Sequence, residues 1–402
     1  MISPRWRKLI LKFMNLCFRA MENKKPKIIR MSNIPLSLNI FCKDLLKELS
    51  KDYEVVVLSS PGEDMEQIRQ REKVRCIEVP IERRMSIFKD LKTLRLLIKV
   101  FREEKPDMVH TMNPKAGLLG MIAAKRAGVP IRVHSFTGLV FPTAKGLKRF
   151  VLKTTDRITC RCATHILPEG NGVRRDLVQN SITSKTLRVL GYGNIRGVDM
   201  SWYNPESPDL KLKAKAFEDK SCFTFVFVGR LAKDKGIEEL IDSFVALQKT
   251  NSNIRLILVS WLEEDDAPSA RILKEIETNN SIMQTGFVND VRPYLLASDC
   301  LVLPSYREGF PNSPIEAGAM GKPCIVTDIN GANEIISNGV NGLIVPPADK
   351  ESLYEAMSKI ASDKALCSRL AASARQMVAD RYDRSIVWDS LKEFYKETLQ
   401  ER

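Results

Sequence analysis

No stretch of the 402 residues runs long enough without charge to make a membrane-spanning helix, which needs about eighteen apolar positions. Cysteine is scattered. The nine thiols are an odd number and form no C-x-x-C pair, and only Cys160 and Cys162 are close. That excludes a disulfide framework and a zinc ribbon, and fits reduced thiols in a cytoplasmic protein. A Walker loop, a D-x-D pair and a G-x-G-x-x-G followed by an acid are also missing, so a P-loop nucleotidase, a carboxylate-held metal and NAD are disfavoured. Aromatic residues make up 7% and are not interleaved with basic ones, which argues against nucleic acid as the partner.

Positive charge is abundant and lopsided. Residues 1–205 hold 39 Lys and Arg against 19 Asp and Glu, whereas residues 206–402 hold 24 against 30. One half therefore faces something anionic, and an anionic membrane surface is the favoured partner. Residues 1–25 sharpen this expectation. Trp6, Leu9, Ile10, Phe13, Met14 and Cys17 share one helical face, with Arg5, Lys8, Lys12 and Arg19 on the other. This is the pattern of a basic amphipathic leader lying in a bilayer interface, without the cleavage site of a secretory signal.

A chain of this length divides into two domains. From Lys27 onward short apolar runs alternate with helical ones: KIIRM, YEVVVLSS, DMVHT and PIRVHSF as strands, with helices near 38–50, 87–104, 115–127 and 146–162. Strict alternation means parallel βαβ units. The rhythm weakens over 201–220, which reads as a linker, then restarts with CFTFVFVG, IRLILVS, CLVLPS, PCIVTD and GLIVPP. The expected organisation is a leader (1–25), an N-terminal domain (26–200), the linker, a C-terminal domain (221–384), and a last helix (385–402) crossing back to the first domain. Two doubly wound Rossmann-like α/β domains would then face each other across a cleft, with ligands at the carboxyl ends of the strands.

Two segments carry chemistry. In VGRLAKDKGIEEL, Arg230 and Lys235 bring two cations to a loop that Gly236 turns into a helix. Two cations and the positive end of a helix suit a diphosphate better than a single carboxylate. In CLVLPSYREGFPNSPIEAGAMG, strand, loop and helix follow in order, with Glu308 and Gly309 at the loop mouth and Glu316 inside the helix. A capping box over Ser313–Glu316 is the plainer reading of the second acid. The alternative is that both acids accept hydroxyls at the two ends of a sugar nucleotide, whose diphosphate lies between them.

These segments resemble the family-4 retaining glycosyltransferases of the GT-B fold. The similarity rests on GRLAKDKG, PSYREGFPNSPIEAGAMGKPCIVTD with its E-x7-E signature, GANEIISNGVNGLIV, and GNIRGVD before the linker, and it spans roughly residues 27–395. The segment HTMNPKAGLLGMIAAKRAGVPIRVHSFTGLVF looks like enzymes that extend lipid-linked oligosaccharides for capsule, O-antigen or protein glycans.

The resemblance implies a metal-independent, cofactor-free sugar transfer from a nucleotide diphosphate, UDP being the leading base, to a polyprenyl-diphosphate-linked saccharide at the inner face of the cytoplasmic membrane. It implies catalytic roles for His134, Glu308, Arg230 and Lys235. Donor contacts would come from Arg230, Lys235, Glu308, Gly309, Phe310, Pro311, Asn312 and Glu316, with Glu316 on the ribose and Glu308 on the sugar. The glycine-poor first loop, SNIPLSLNIF, departs from the family, and Ser37 and Leu38 would supply the contacts there. SWLEEDDAP replaces a glycine-rich turn, and its Glu263–Asp266 acids read as a solvated loop. A sugar-nucleotide 2-epimerase of the same fold and an inactive membrane-associated scaffold are the alternatives.

Overall fold

The computed structural model describes residues 25–82 and 86–401, so the amphipathic leader expected over residues 1–25 lies almost wholly outside the described residues. Twelve strands are formed among these residues. The first sheet holds β1 (Lys27–Met31), β2 (Glu54–Ser59), β3 (Arg75–Glu78), β4 (Met108–Met112), β5 (Ile131–Phe136) and β6 (His165–Pro168). The second holds β7 (Phe223–Val228), β8 (Ile254–Val259), β9 (Ile282–Gln284), β10 (Cys300–Leu303), β11 (Cys324–Thr327) and β12 (Gly342–Val345).

Helices fill the connections. Ahead of β7 come α1 (Pro35–Phe41), α2 (Leu45–Leu49), α3 (Glu63–Glu72), α4 (Ile87–Glu104), α5 (Pro114–Ala127), α6 (Gly146–Cys162), α7 (Asn171–Gln179) and α8 (Pro208–Ala214). Beyond it follow α9 (Ile237–Gln248), α10 (Ala270–Thr278), α11 (Arg292–Leu296), α12 (Asn312–Ala319), α13 (Ala332–Ile335), α14 (Lys350–Ser362), α15 (Lys364–Tyr382) and α16 (Arg384–Gln400).

The strand order is β3-β2-β1-β4-β5-β6 in one sheet and β12-β11-β10-β7-β8-β9 in the other. Both are the same doubly wound order, with pairings such as β1–β2, β1–β4, β7–β8 and β7–β10 all parallel. Near-continuous runs of Val, Ile, Leu and Phe make these strands, as burial on both faces requires. Both strand orders reverse at one seam, between β1 and β4 and between β7 and β10, and ligands of such sheets bind at the carboxyl ends beside that seam.

By contacts the chain forms two compact units. One comprises the chain through His134 with Arg161–His165 and the residues from Leu399; the other comprises Ser135–Cys160 and Ile166–Thr398. In the first unit, Ile28, Ile29, Val56, Val57, Met108 and Val109 of the sheet are fully buried, as is Leu97 of α4. In the second, Phe225, Phe227, Ile257, Leu301, Val302 and Ile325 form the centre of one continuous core. The stretch 201–220 joins that core: Tyr203 is buried, and α8 inserts Leu210 and Ala214. Local signals set the helix ends. Pro114 begins α5 and Gly128, at φ +79°, stops it; Asp349 caps α14 by accepting from the Ser352 amide.

Candidate active site

The site residues of the second unit sit at the carboxyl ends of β7 and β10, the two strands at its seam. Beyond β7 the chain continues as a ribbon against the segment after β8, where the Leu231 amide donates to the Trp261 carbonyl and the Glu263 amide to the Leu231 carbonyl. That ribbon places Arg230 opposite Glu263, with Nη1 donating to Oε2 at 3.0 Å, and 3.7 Å from Asp234. The expectation that Glu263 is merely solvated is corrected here: the ribbon makes it the partner of a site cation. Residues Lys233–Lys235 form one 3-10 turn, and Gly236 then opens α9 at φ +66°. A β-carbon at Gly236 would overlap the Pro304 carbonyl, so only glycine lets the turn close this tightly.

That closure brings the loops after β7 and β10 together. Lys235 Nζ lies 2.5 Å from Glu308 Oε1, which also accepts from the Ser305 hydroxyl at 2.8 Å. Both side chains are largely shielded from water, so this pair acts in a medium where charge matters more than at an open surface. Gly309 follows, wedged so that a β-carbon would meet the Thr137 carbonyl and Gly138 Cα. Phe310 is buried edge-on against Tyr382, with centroids 5.7 Å apart.

The capping-box reading of Glu316 does not hold. Helix α12 starts at Asn312 after Pro311, and no side chain caps it. The Glu316 carboxylate instead accepts from Arg196 Nη1 at 2.8 Å. Tyr203 hydrogen-bonds with both members of that pair, and burial followed by the Glu316 charge raises its hydroxyl well above the ordinary range. Burial alone would lower the Arg196 guanidinium, but Glu316 and Tyr203 raise it. Asn312 is held too: its Oδ1 accepts from Asn194 Nδ2 at 3.2 Å.

Arg230, Lys235, Glu308, Gly309, Phe310, Pro311, Asn312 and Glu316 thus share one unit and the carboxyl edge of one sheet. The remaining expected residues belong to the first unit. His134, near the end of β5, is 1% exposed, with Nδ1 2.8 Å from the Thr111 hydroxyl. A β-carbon at Gly117 would overlap its ring, so α5 lies directly upon it. Burial lowers the imidazole to about 3, so His134 is neutral near pH 7. Ser37 and Leu38 occupy α1 rather than a loop, because Pro35 starts a helix there; Leu38 is fully buried, and Ser37 Oγ accepts from Asn113 Nδ2 at 3.1 Å.

Sequence reasoning missed Arg196, Tyr203 and the buried Glu169. Arg196 lies inside GNIRGVD and could have been found there, whereas Glu169 is a lone acid at a strand end with no spacing signal. Among the described residues no cluster of His, Cys, Asp and Glu is arranged to hold a metal ion, and no helix is long and apolar enough to cross a membrane.

A family described as Glycosyl transferases group 1 matches residues 209–377, and one described as Glycosyl transferase 4-like domain matches residues 39–193. The chain is 30% identical over 380 residues to the capsular polysaccharide biosynthesis glycosyltransferase CapM of Staphylococcus aureus, covering 94% of this chain and 99% of that protein. It is 29% identical over 330 residues to the UDP-Gal:alpha-D-GlcNAc-diphosphoundecaprenol alpha-1,3-galactosyltransferase of Escherichia coli, covering 81% of this chain and 84% of that one. Among solved structures, Anabaena Alr3699/HepE in complex with UDP superimposes with a TM-score of 0.76 at 18% identity, covering 93% of this chain and 100% of that chain. The doubly wound sheets, the paired cation and acids at the second seam and these similarities agree: the chain is a glycosyltransferase of the GT-B fold and belongs to the group 1 glycosyl transferases.

Proposed function

We propose that this glycosyltransferase takes a sugar from a UDP-linked donor and transfers it, with retention of anomeric configuration, to a saccharide carried on a polyprenyl diphosphate. The observation that carries the reading is the Lys235–Glu308 pair at the seam of the second sheet, with Arg230 at the end of the same strand. As the C1–O bond to the β-phosphate breaks, negative charge grows on the leaving diphosphate. Lys235 and Arg230 are placed to neutralise it, and preorganised groups of this kind are each worth a few kcal/mol in the transition state. The acceptor hydroxyl attacks C1 from the face the phosphate leaves, and its proton passes to the departing phosphate oxygen. A new C–O bond forms, the nucleoside diphosphate departs, and no side chain has to act as nucleophile. Glu316 would take the ribose hydroxyls and Glu308 those of the sugar, while His134 would meet the sugar as a neutral imidazole.

The names of two relatives support the substrate class. The Escherichia coli relative is named for a UDP-galactose donor and a diphosphoundecaprenol acceptor. A Campylobacter jejuni relative, 27% identical over 379 residues, is named as an N,N'-diacetylbacillosaminyl-diphospho-undecaprenol alpha-1,3-N-acetylgalactosaminyltransferase. The test is a panel of UDP-, GDP- and ADP-sugars with a polyprenyl-diphosphate monosaccharide, read by mass spectrometry with and without excess EDTA. The expected product is one hexose or N-acetylhexosamine heavier, forms from a UDP-sugar, and forms equally well in EDTA because protein cations do a metal's work. Absence of product from every donor would end the reading.

Helix α4 supports docking at the inner face of the cytoplasmic membrane. Its first turns expose Ile87 at 78% and Phe88 at 88%, with Leu91 also exposed, among Lys89, Lys92 and Arg95. Apolar tips among basic side chains suit an anionic bilayer interface. Each basic residue near such a surface contributes about 1 kcal/mol, so replacing these three with alanine should weaken vesicle binding roughly a hundredfold. Sedimentation with anionic and neutral liposomes measures this, and equal binding to both by the intact chain would sink the idea.

A further inference from the structure

Glu169, at the carboxyl end of β6, is a buried carboxyl group for which the mechanism above has no use. Its backbone is fixed on both sides: its amide donates to the Phe136 carbonyl at 3.0 Å, and its carbonyl accepts from the Asn194 amide at 2.9 Å. Its side chain accepts a hydrogen bond from the Ile195 amide. Asn194 in turn braces the same segment, its Oδ1 accepting from the amides of Arg196 at 2.9 Å and Gly197 at 2.7 Å. The next side chain along, Arg196, reaches Glu316. The Glu169 carboxyl is also close enough to Glu308 to feel its charge. One buried acid thus touches the segment that serves Glu316 and lies within electrostatic reach of the acid that holds Lys235.

We propose that Glu169 is a positioning residue of the donor site: its carboxyl group tethers the 193–197 segment that delivers Arg196 to Glu316. The inference rests on the donor-site reading given above. Burial and the charge of Glu308 push the Glu169 carboxyl up to about 8, against the opposing pull of the Ile195 amide. It is therefore un-ionised near pH 7 and adds no negative charge to a site where Lys235 and Arg230 are already matched by Glu308 and Glu263. As pH rises through about 8, Glu169 ionises and adds a carboxylate charge to that of Glu308, against the binding of a diphosphate. The charged groups on the elements around it are Glu308 on the loop after β10, Arg196 on the connecting segment, where it is committed to Glu316, and Glu334 on α13. Glu334 is occupied by the amides of Asn171 and Gly172.

The test is UDP titration by calorimetry between pH 6.5 and 9 on the intact chain and on Glu169→Gln and Glu169→Leu, each checked for an unchanged melting profile. Glutamine keeps an acceptor for the Ile195 amide and cannot ionise; leucine cannot ionise either and has no acceptor. The wild type is expected to lose UDP affinity about tenfold between pH 7 and 9. Glu169→Gln should match it at pH 7 and show none of this loss up to pH 9. Glu169→Leu should bind about tenfold more weakly at every pH. UDP's own ionisation is common to all three proteins and cancels in the comparison. If Glu169→Gln follows the wild-type pH curve, or Glu169→Leu binds as tightly as Glu169→Gln, the role assigned to Glu169 is wrong while the donor site stands. If the wild type binds no UDP, it is the donor-site reading that fails.

Discussion

Lys235→Ala is expected to lower kcat/KM by roughly 10²–10³-fold, the loss typical of removing one preorganised charge donor from a reacting site. The structure gives a reason to expect the upper part of that range. Among the described residues, Glu308 keeps only the Ser305 hydroxyl as a hydrogen-bond partner once the amine 2.5 Å away is gone. The variant therefore loses a cation and also leaves a shielded carboxylate without its counter-charge, turned against an incoming diphosphate. Both KM and kcat should suffer. Lys235→Arg should recover only part of the activity, because a planar guanidinium does not reproduce a compact ammonium in a closed turn. Adding Glu308→Gln to Lys235→Ala should restore nucleotide affinity relative to Lys235→Ala alone, since the unpaired charge is removed. Steady-state kinetics with a UDP-sugar and a thermal melt on each variant decide the matter; an activity within threefold of wild type would show that Lys235 does not meet the diphosphate.

Gly309→Ala should nearly match that loss by a different route. Nothing near Gly309 can swing aside, because its neighbours are the Thr137 carbonyl and Gly138 Cα, and the backbone around Gly331 closes on it as well. A methyl group here must push one backbone off another, at a cost of about 1–3 kcal/mol. The loop carrying Glu308 would be displaced, and a misplacement of about 1 Å at a reacting centre costs on the order of 10²-fold in rate. The expected result is a hundredfold fall in kcat/KM with a melting temperature lowered by only a few degrees. A variant of normal activity would mean that this loop does not need its tight seat.

Strand–helix alternation made the fold legible because buried parallel strands are nearly pure apolar runs. KIIRM was read to the residue, as were the helices at 87–104 and 146–162. Short edge elements escaped: β3, β9 and β6 have three or four residues each, too few to show a period. In the site, Arg230, Lys235 and Glu308 could be found because each stands beside a glycine in a loop after a strand. Tyr203 could not, because it lies in a stretch whose prolines suggested a linker while its tertiary contacts are made over a hundred residues away in sequence. Glu263 reads locally as solvated and Glu316 as a donor contact or a helix cap, and neither local reading contains the arginine, distant in sequence, that pairs with each.

The two sheets wind in one order, and that has a bearing on how the protein comes into being. In each, the central pair joins strands that are not neighbours in sequence: β1 waits for β4, and β7 for β10, while helices and outer strands are made between them. Contacts between distant parts of a chain form late, since the entropy of closing the intervening loop must be met before they reward it. Lys235 and Glu308 stand on opposite banks of such a junction, 73 positions apart. A ribosome would release the first bank well before the second, so the nascent enzyme stays inert until its last large seam has closed.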